Sequence, residues 1–457
     1  MNREPDTVRV VGALDARDGE PNSDLVVLGR DVRIEYGGLQ QYCWRQLTEI
    51  DVDLLYLAGL VAWVDRAHRR LRSRGWARRF HVVVPVRDVA RWQSPQTVTS
   101  LRSTLAYSTG DSWDFEFVER RDSPQLKQLY LLSQLPKEPV VIPYSGGLDS
   151  FAQRRLVEIE QPQTTPLLIQ AKTGGNVVQD PTRSQAVVLP IPVRHSRLEH
   201  AEPTYRTRTF LFGVVAAVAA KLSESVKILI GENGQGSVGA SIIPFSGEAP
   251  FRTTHPLFTA RLRCFLATLW GAESTPVFEH PNVWMTKGEV LQRLANADAL
   301  DGWEATVSCS RNIARTKSYT GIWACGICGN CLLRRMSVHT AQLSDPTRYF
   351  WADLNATTLD RACAVSGHTT NTDENIANHS LVTMAGLADA AEWPSSHPTF
   401  EQLSFELACA TKSPKSDVCK RVQRLIRHHQ SEWRSMTSTL RSDSWVRQRL
   451  KVLNATN

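Results

Sequence analysis

Apolar and polar positions divide the chain into stretches of different period. Residues 1–24 are polar and rich in Asp, Gly and Pro, with no sustained apolar period, and read as a loose arm. A short apolar run at 25–28 predicts a strand. Residues 52–74 carry a helical apolar stripe, and 80–86 and 115–118 read as further strands. This makes 25–135 a small α+β domain with no recognisable chemistry, suited to packing against its neighbour or holding a partner.

A different rhythm begins at residue 139. Pro139-Val140-Val141-Ile142-Pro143 is a buried-strand pattern that runs straight into Tyr144-Ser145-Gly146-Gly147-Leu148-Asp149-Ser150 and then a helical stretch. Strands are predicted at 166–170, 186–189 and 227–230, with an apolar helix at 210–222 between the last two. Strand, glycine turn and helix in alternation predict an α/β fold with a doubly wound, mainly parallel sheet over 136–339. From 340 to 457 the pattern is mostly helical, clearest at 416–433, and a basic helical stretch ends near 453. No internal repeat or low-complexity segment interrupts it.

Length and composition bound these readings without changing them. A chain of 457 residues, 42% hydrophobic and 22% charged, fits two or three packed globular units. The longest apolar runs, at 54–64 and 210–220, are about half of the ~20 residues a membrane helix needs, so both read as core helices and no membrane partner is expected. The first residues lack the apolar core of a secretory signal, and a cytoplasmic location is expected. The net charge of +7 is modest; basic residues concentrate at 66–79 and 412–449, as solvated helix faces or as a surface for nucleic acid or an acidic partner. An odd count of nine cysteines argues against a disulfide framework.

Two motifs carry chemistry. In Ser145-Gly146-Gly147-Leu148-Asp149-Ser150 the paired glycines let backbone N–H groups curl toward an anion at a helix start, with Ser145 and Ser150 as hydroxyl donors. Asp149, itself an anion, would orient the loop or hold a magnesium ion on phosphate oxygens. No lysine stands where a Walker loop requires one. The second motif is Cys325-Gly326-Ile327-Cys328-Gly329-Asn330-Cys331, with Cys309 upstream at a distance a loop can close. Four thiolates suit a closed, tetrahedral, structural zinc site; an iron–sulfur cluster takes the same donors. Cys43, Cys264, Cys363, Cys409 and Cys419 have no such spacing and read as core positions.

The SGGxDS hexapeptide resembles the phosphate loop of the PP-loop ATP pyrophosphatases, the adenine nucleotide alpha hydrolase-like fold. That resemblance implies attack of a substrate oxygen on the α-phosphate of ATP, an adenylate, released pyrophosphate, and displacement of AMP by a nucleophile. The loop together with Cys-x-x-Cys-x-x-Cys and Leu332-Leu333-Arg334-Arg335 resembles the QueC family of 7-cyano-7-deazaguanine synthases, from about residue 139 to 336. Thr204-Tyr205-Arg206-Thr207-Arg208-Thr209-Phe210 resembles its arginine-bearing entry to a long helix, Thr286-Lys287-Gly288-Glu289 its Thr-Lys-x-Glu segment, and Ser308-Cys309 its first zinc ligand. The resemblance implies catalytic roles for Asp149, Lys287 and Arg208, ATP binding by 145–150 and Arg206, and zinc on Cys309, Cys325, Cys328 and Cys331.

The chain departs from that family after the strand at 227–230, where it reads Gly231-Glu232-Asn233-Gly234-Gln235-Gly236-Ser237 and later Thr253-Thr254-His255-Pro256-Leu257-Phe258. Glu232 and Asn233 follow a strand end, where open α/β sheets bind ligands. They are candidate readers of a deazaguanine-type substrate, with His255 as a general base or a loop anchor. The extra terminal regions resemble those of longer QueC-like proteins in antiphage systems, QatC of the Qat system and the QueC-like component of CBASS operons, which implies protein partners of a defence operon. Two other functions fit the motifs: a PP-loop enzyme that modifies tRNA, and a nucleotide-sensing scaffold without catalysis.

Overall fold

The computed structural model describes residues 7–15, 23–71, 76–121, 138–172, 186–196, 202–244, 247–311, 323–365 and 369–456. They form two compact units. The first comprises Met1–Ser145, Val157–Ile230 and Pro244–His280; the second comprises Gly146–Leu156, Gly231–Ile243 and Pro281–Asn457. This division cuts across the linear one expected from the sequence, because the strands of the nucleotide-binding region cluster with the amino-terminal part.

The first unit holds two sheets. Strands β1 (Thr7–Ala13) and β2 (Asp24–Val27) lead to the short β3 (Val32–Ile34), helices α1 (Gly37–Cys43) and α2 (Glu49–Ala67), and β4 (Arg79–Val86). Helices α3 (Val89–Trp92) and α4 (Pro95–Thr109) then precede β5 (Ser112–Glu119). Strands β2-β1-β4-β5 pair in that order, all in parallel. Two expectations are corrected here. The supposed loose arm contains β1, an inner strand whose Val10 and Val11 are buried; its buried residues are consecutive and lie between polar flanks, so no alternating period announces it. The supposed α+β domain has a parallel sheet with helical crossovers, the α/β arrangement. Helix α2 also stops at Ala67, seven residues short of the predicted end.

The second sheet has the order β10-β9-β6-β7-β8-β3. It is built from β6 (Pro139–Pro143), β7 (Thr165–Lys172), β8 (Val187–His195), β9 (Lys227–Leu229) and β10 (Val277–Glu279), which are parallel, and β3, which closes the edge antiparallel to β8. Helix α5 (Leu148–Glu160) follows β6, and α6 (Arg208–Leu222) precedes β9. Helix α6 is apolar on all sides and buried from Phe210 to Leu222 except at Phe212 and Lys221, so it serves as a core element. The expected mainly parallel α/β fold is present.

The second unit is helical: the first turns of α5, then α7 (Gly234–Ile242), α9 (Lys287–Asn296), α10 (Gly329–Thr340), α11 (Asn371–Asp389), α12 (Pro398–Thr411), α13 (Lys415–Ser438) and α14 (Trp445–Thr456). Helix α8 (Pro256–Trp270) belongs to the first unit. Leu148, Phe151 and Leu156 of α5 share one core with Val290, Leu291 and Leu294 of α9. Val238 and Ile242 of α7 pack with Phe400 and Leu403 of α12 and Val418, Val422 and Leu425 of α13. Among the described residues no helix is long and apolar enough to cross a membrane.

Candidate nucleotide-binding site

The chain leaves β6 through Tyr144 and Ser145 and turns at Gly146, whose φ of +75° is a conformation that favours glycine. Helix α5 then begins at Leu148. The Ser150 hydroxyl donates to the Gly147 carbonyl at 3.0 Å, and the Phe151 N–H donates to the same oxygen at 3.1 Å, fixing the first turn. From the other side, the Val307 N–H donates to the Gly146 carbonyl at 3.1 Å. Residues 145–150 thus form a tight turn at a helix amino terminus, the arrangement that suits a phosphate.

Asp149, on the first turn of α5, is the hub of a polar cluster. Its Oδ2 accepts from Lys287 Nζ at 2.7 Å and its Oδ1 from Asn233 Nδ2 at 2.9 Å. The Lys287 side chain is 5% exposed and that of Asp149 23%. Asn233 Nδ2 also donates to Glu232 Oε1 at 3.0 Å, so one amide spans two carboxylates. Burial first, and the negative charge of Asp149 second, push the Glu232 carboxyl up to about 8, with Lys287 pulling the other way. The group is therefore largely protonated at neutral pH and would ionise when a cation or donor arrives.

Local sequence explains why these groups meet. Asn233 caps α7, accepting the Gly236 N–H at 3.1 Å through Oδ1, which turns its Nδ2 toward the carboxylates. Gly231 lets the segment after β9 pass directly over α5: a Cβ there would lie 2.7 Å from Gln153 Cβ and 2.8 Å from the Asp149 carbonyl oxygen. Lys287 opens α9, whose Thr286 and Glu289 form a capping box. The Thr-Lys-x-Glu segment thus places a lysine at a helix start by ordinary capping chemistry. Side chains that sequence reasoning did not assign to the site complete the surroundings. Gln235 Oε1 accepts the Lys287 N–H at 2.8 Å, Thr286 Oγ1 donates to Glu432 of α13, and Asn282 Nδ2 donates to Gln153 Oε1 at 3.1 Å.

The other expected site residues lie in the first unit, each with local partners. Arg206, 2% exposed, donates to the Ala249 carbonyl at 2.8 Å and stacks 4.5 Å from the Trp76 ring centroid; burial, then the charge of Arg70, lower it to about 10. Arg208 is exposed at the start of α6 with its guanidinium 4.9 Å from the Phe212 ring centroid. His255 is fully buried and caps α8. Its Nδ1 accepts from the Leu257 N–H at 3.1 Å and faces Tyr107 Oη at 3.1 Å; burial, Arg252 and Arg261 hold it down at about 3. Of the two roles expected for His255, its contacts are those of an anchor, and a ring so enclosed is a poor general base.

The ligand atoms of Cys309, Cys325, Cys328 and Cys331 all lie within 4.8 Å of one another. Cys309 Sγ accepts the Cys325 N–H at 3.3 Å, and Cys325 Sγ accepts the Cys328 N–H at 3.3 Å, donors of the kind that support metal thiolates. A four-thiolate set of this size fits zinc. The three later cysteines are part of a core with Phe350, Trp351, Met384, Trp433 and Trp445, which identifies the centre as structural. Arg334 Nη1 donates to Thr306 Oγ1 at 2.7 Å, tying α10 to the segment that carries Val307 and Cys309. The cysteine site is thereby linked to Gly146 through Val307.

A glycine turn between a parallel strand and a helix, with Asp149 on that helix's first turn paired to Lys287 at the start of α9, is an α/β arrangement consistent with a PP-loop fold. Sequence relatives narrow this: the chain is QueC-like over part of its length. It is 34% identical over 113 residues to the 7-cyano-7-deazaguanine synthase of Saccharophagus degradans, 24% of this chain and 46% of that protein. It is 32% identical over 144 residues to that of Acinetobacter baylyi, 31% of this chain and 55% of the relative, and 32% identical over 114 residues to that of Ralstonia nicotianae, 24% and 46%. The chain thus spans about half the length of these curated relatives. No family model matches it, and no solved structure matches it.

Proposed function

We propose that the protein is an ATP-dependent, adenylate-forming ligase acting on a 7-deazaguanine carboxylate, with magnesium as its ATP partner and zinc as a structural brace. The observation that carries this reading is the cluster that Lys287, Asn233 and Glu232 form around Asp149, on the first turn of the phosphate-loop helix. A carboxylate oxygen of the substrate attacks the α-phosphorus of ATP, the bond to the β-phosphate oxygen breaks, and pyrophosphate leaves. An amine or ammonia nitrogen then attacks the acyl carbon, loses a proton and expels AMP. Ammonia gives an amide, and a second activation of its oxygen gives a nitrile. In the antiphage setting that the longer QueC-like proteins suggest, the acceptor amine belongs to a partner protein.

Each residue has a definite task in this reading. The backbone of residues 145–150 cradles the phosphates. Lys287 exchanges its partner, Asp149, for a phosphate oxygen and offsets charge developing toward the leaving group. Asp149 would supply an oxygen for magnesium, which when bound would neutralise the triphosphate. Arg206 and Arg208 stay proposed as phosphate contacts, and Glu232 with Asn233 as readers of the deazaguanine edge. The clustered thiols, all within 4.8 Å of one another, are a poor source of the free cysteine pair that a thiolating tRNA enzyme uses.

The test is release of pyrophosphate and AMP from ATP, with and without 7-carboxy-7-deazaguanine, by wild type and Asp149→Ala, with mass spectrometry of the products and of candidate partner proteins. Substrate-dependent pyrophosphate that disappears in the variant supports the reading. ATP that is bound but never split, under every substrate and partner offered, sinks it in favour of a scaffold.

A further inference from the structure

Helix α13 belongs to the carboxy-terminal region, yet its buried face reaches the start of α9. Its stripe runs Val418, Val422, Leu425, Ile426, His429, Glu432, Trp433 and Met436, spacing that a core-facing helix shows, except that two members are polar. Glu432 is 7% exposed and His429 0%. Buried ionisable groups on an apolar stripe need partners, and theirs are specific.

The Glu432 Oε1 accepts a hydrogen bond from the hydroxyl of Thr286, the residue just before Lys287. Gln235 Oε1 accepts the backbone N–H of Lys287 at 2.8 Å, which fixes the orientation of the amide, so that its Nε2 points toward Glu432 Oε2 at 3.4 Å and His429 Nδ1 at 2.9 Å. His429 in turn donates from Nε2 to the Met384 carbonyl of α11 at 2.9 Å. Burial lowers His429 to about 4, leaving a neutral ring whose Nδ1 can accept from the amide. Gly288 leaves room for the carboxyl; a Cβ there would stand 2.5 Å from Glu432 Oε1. Two hydrogen-bond routes therefore run from α13 to the peptide that carries Lys287.

We infer that Glu432, with His429 behind Gln235, is a positioning residue: the carboxy-terminal helix sets the direction in which Lys287 presents its ammonium to Asp149 and to the phosphates. The inference rests on the reading of Lys287 given above. It makes the carboxy-terminal region part of the active site's construction, not only an attached module. A core position with no task beyond packing would be filled by an apolar residue, which would avoid burying a carboxyl that burial, followed by Glu289, lifts to about 7.

The test compares Glu432→Ala, Glu432→Gln and Gly288→Ala in the full-length protein. Glutamine can still accept from Thr286, so it should keep kcat for pyrophosphate release near the wild-type value. Alanine at 432, or a methyl at 288 that displaces the carboxyl, should lower kcat by about 10²-fold while the KM for ATP changes little, the signature of a misaimed catalytic group. Trace acetylation of Lys287, read by mass spectrometry, gives a second readout that needs no turnover: both variants should label faster than wild type, and glutamine should not. Equal kcat and equal labelling in all three overturn the inference. If wild type itself releases no pyrophosphate, the functional reading fails separately, and labelling still decides the positioning. If the Glu432→Ala chain does not fold, Gly288→Ala decides, since it removes no polar group.

Discussion

Lys287 Nζ lies 2.7 Å from Asp149 Oδ2, so two helices that begin 139 residues apart meet through one charge pair at their first turns. A lysine held by a carboxylate beside a phosphate loop can turn to an arriving phosphate while Asp149 keeps a hydrogen-bond donor, because Asn233 still donates to it. Lys287→Gln should therefore lower pyrophosphate release by about 10²–10³-fold, the usual effect of removing one electrostatic contact to the reacting group. Steady-state assays at saturating ATP check this. Melting should fall modestly, since a charged hydrogen bond of this kind contributes about 1.5–3 kcal/mol.

Glu232 predicts a pH dependence of stability. Its carboxyl is raised to about 8 in the fold against an ordinary 4.5, so between those values the folded protein binds more protons than the unfolded chain. Stability linked to this group is fully present below pH 4.5 and is lost as pH rises toward 8. Glu432, raised to about 7, adds a slope of the same sign. Between pH 6.5 and pH 8, above the range in which the buried histidines His195, His255, His280 and His429 gain protons on unfolding, melting temperature should thus decline in wild type and decline less in Glu232→Gln. A variant profile parallel to that of wild type would remove Glu232 from the account.

His255 gives the opposite sign. Held at about 3, it is neutral in the fold, and the unfolded chain gains a proton near the ordinary histidine value of 6.5. Its contribution to stability is present above pH 6.5 and is lost as pH falls toward 3. As an N-cap it is replaceable by another capping side chain: His255→Ala should cost about 1 kcal/mol of stability, and His255→Asn less. Neither should change the pH optimum of pyrophosphate release. A shifted optimum in His255→Asn would restore the general-base role.

The phosphate loop and the cysteine run at 325–331 were legible because each motif is local: backbone geometry in one case, ligand spacing in the other, both set by a few consecutive residues, with Cys309 16 residues upstream of Cys325 as the fourth thiol. Asn233 and Glu232 were legible by position after a strand. The rest depended on pairings at long range. Gln235 and Glu432 are 197 residues apart, and only a carboxyl on the apolar stripe of α13 hinted at a buried partner. Thr286 could have been read as a cap from Glu289 three residues on. Arginines 206 and 208 look like phosphate ligands in sequence; their contacts in the structure are aromatic rings and, for Arg206, the Ala249 carbonyl and the Glu248 carboxylate. Strand β1 escaped because its buried residues are consecutive and sit between polar flanks, which gives no alternating period, and a parallel sheet gives no hairpin signal.

Gly231 offers a steric test of how closely the segment after β9 must approach the loop helix. A methyl there meets Gln153 Cβ at 2.7 Å and the Asp149 carbonyl oxygen at 2.8 Å, one of them backbone that cannot rotate away. Gly231→Ala should destabilise by about 1–3 kcal/mol and separate Asn233 from Asp149. The control is Gly37→Ala, where nothing lies within 4 Å. Urea denaturation of the two variants, with pyrophosphate release alongside, separates a local steric effect from a general glycine effect.

The cysteine site predicts two separable losses. Metal analysis of the purified protein should give one zinc per chain and no visible charge-transfer absorbance, which an iron–sulfur cluster would show. Structural zinc sites contribute about 10–16 kcal/mol on binding, as much as whole domains have in reserve, so Cys328→Ser or chelation should unfold the helical unit instead of softening it. Proteolysis of the second unit would report this. Loss of activity in that variant would say nothing about positioning, because the whole frame is gone. Val307→Pro addresses positioning directly. It deletes the N–H that reaches the Gly146 carbonyl at 3.1 Å, while Thr306 before it, at φ −76° and ψ 140°, already has the extended backbone that a following proline prefers. This variant should keep its zinc and its melting temperature to within a few degrees, yet release pyrophosphate about fivefold more slowly, the cost of one ~1 kcal/mol hydrogen bond on the loop. Zinc retained with a wild-type rate would mean that the metal site supports the fold alone and has no hold on the phosphate loop.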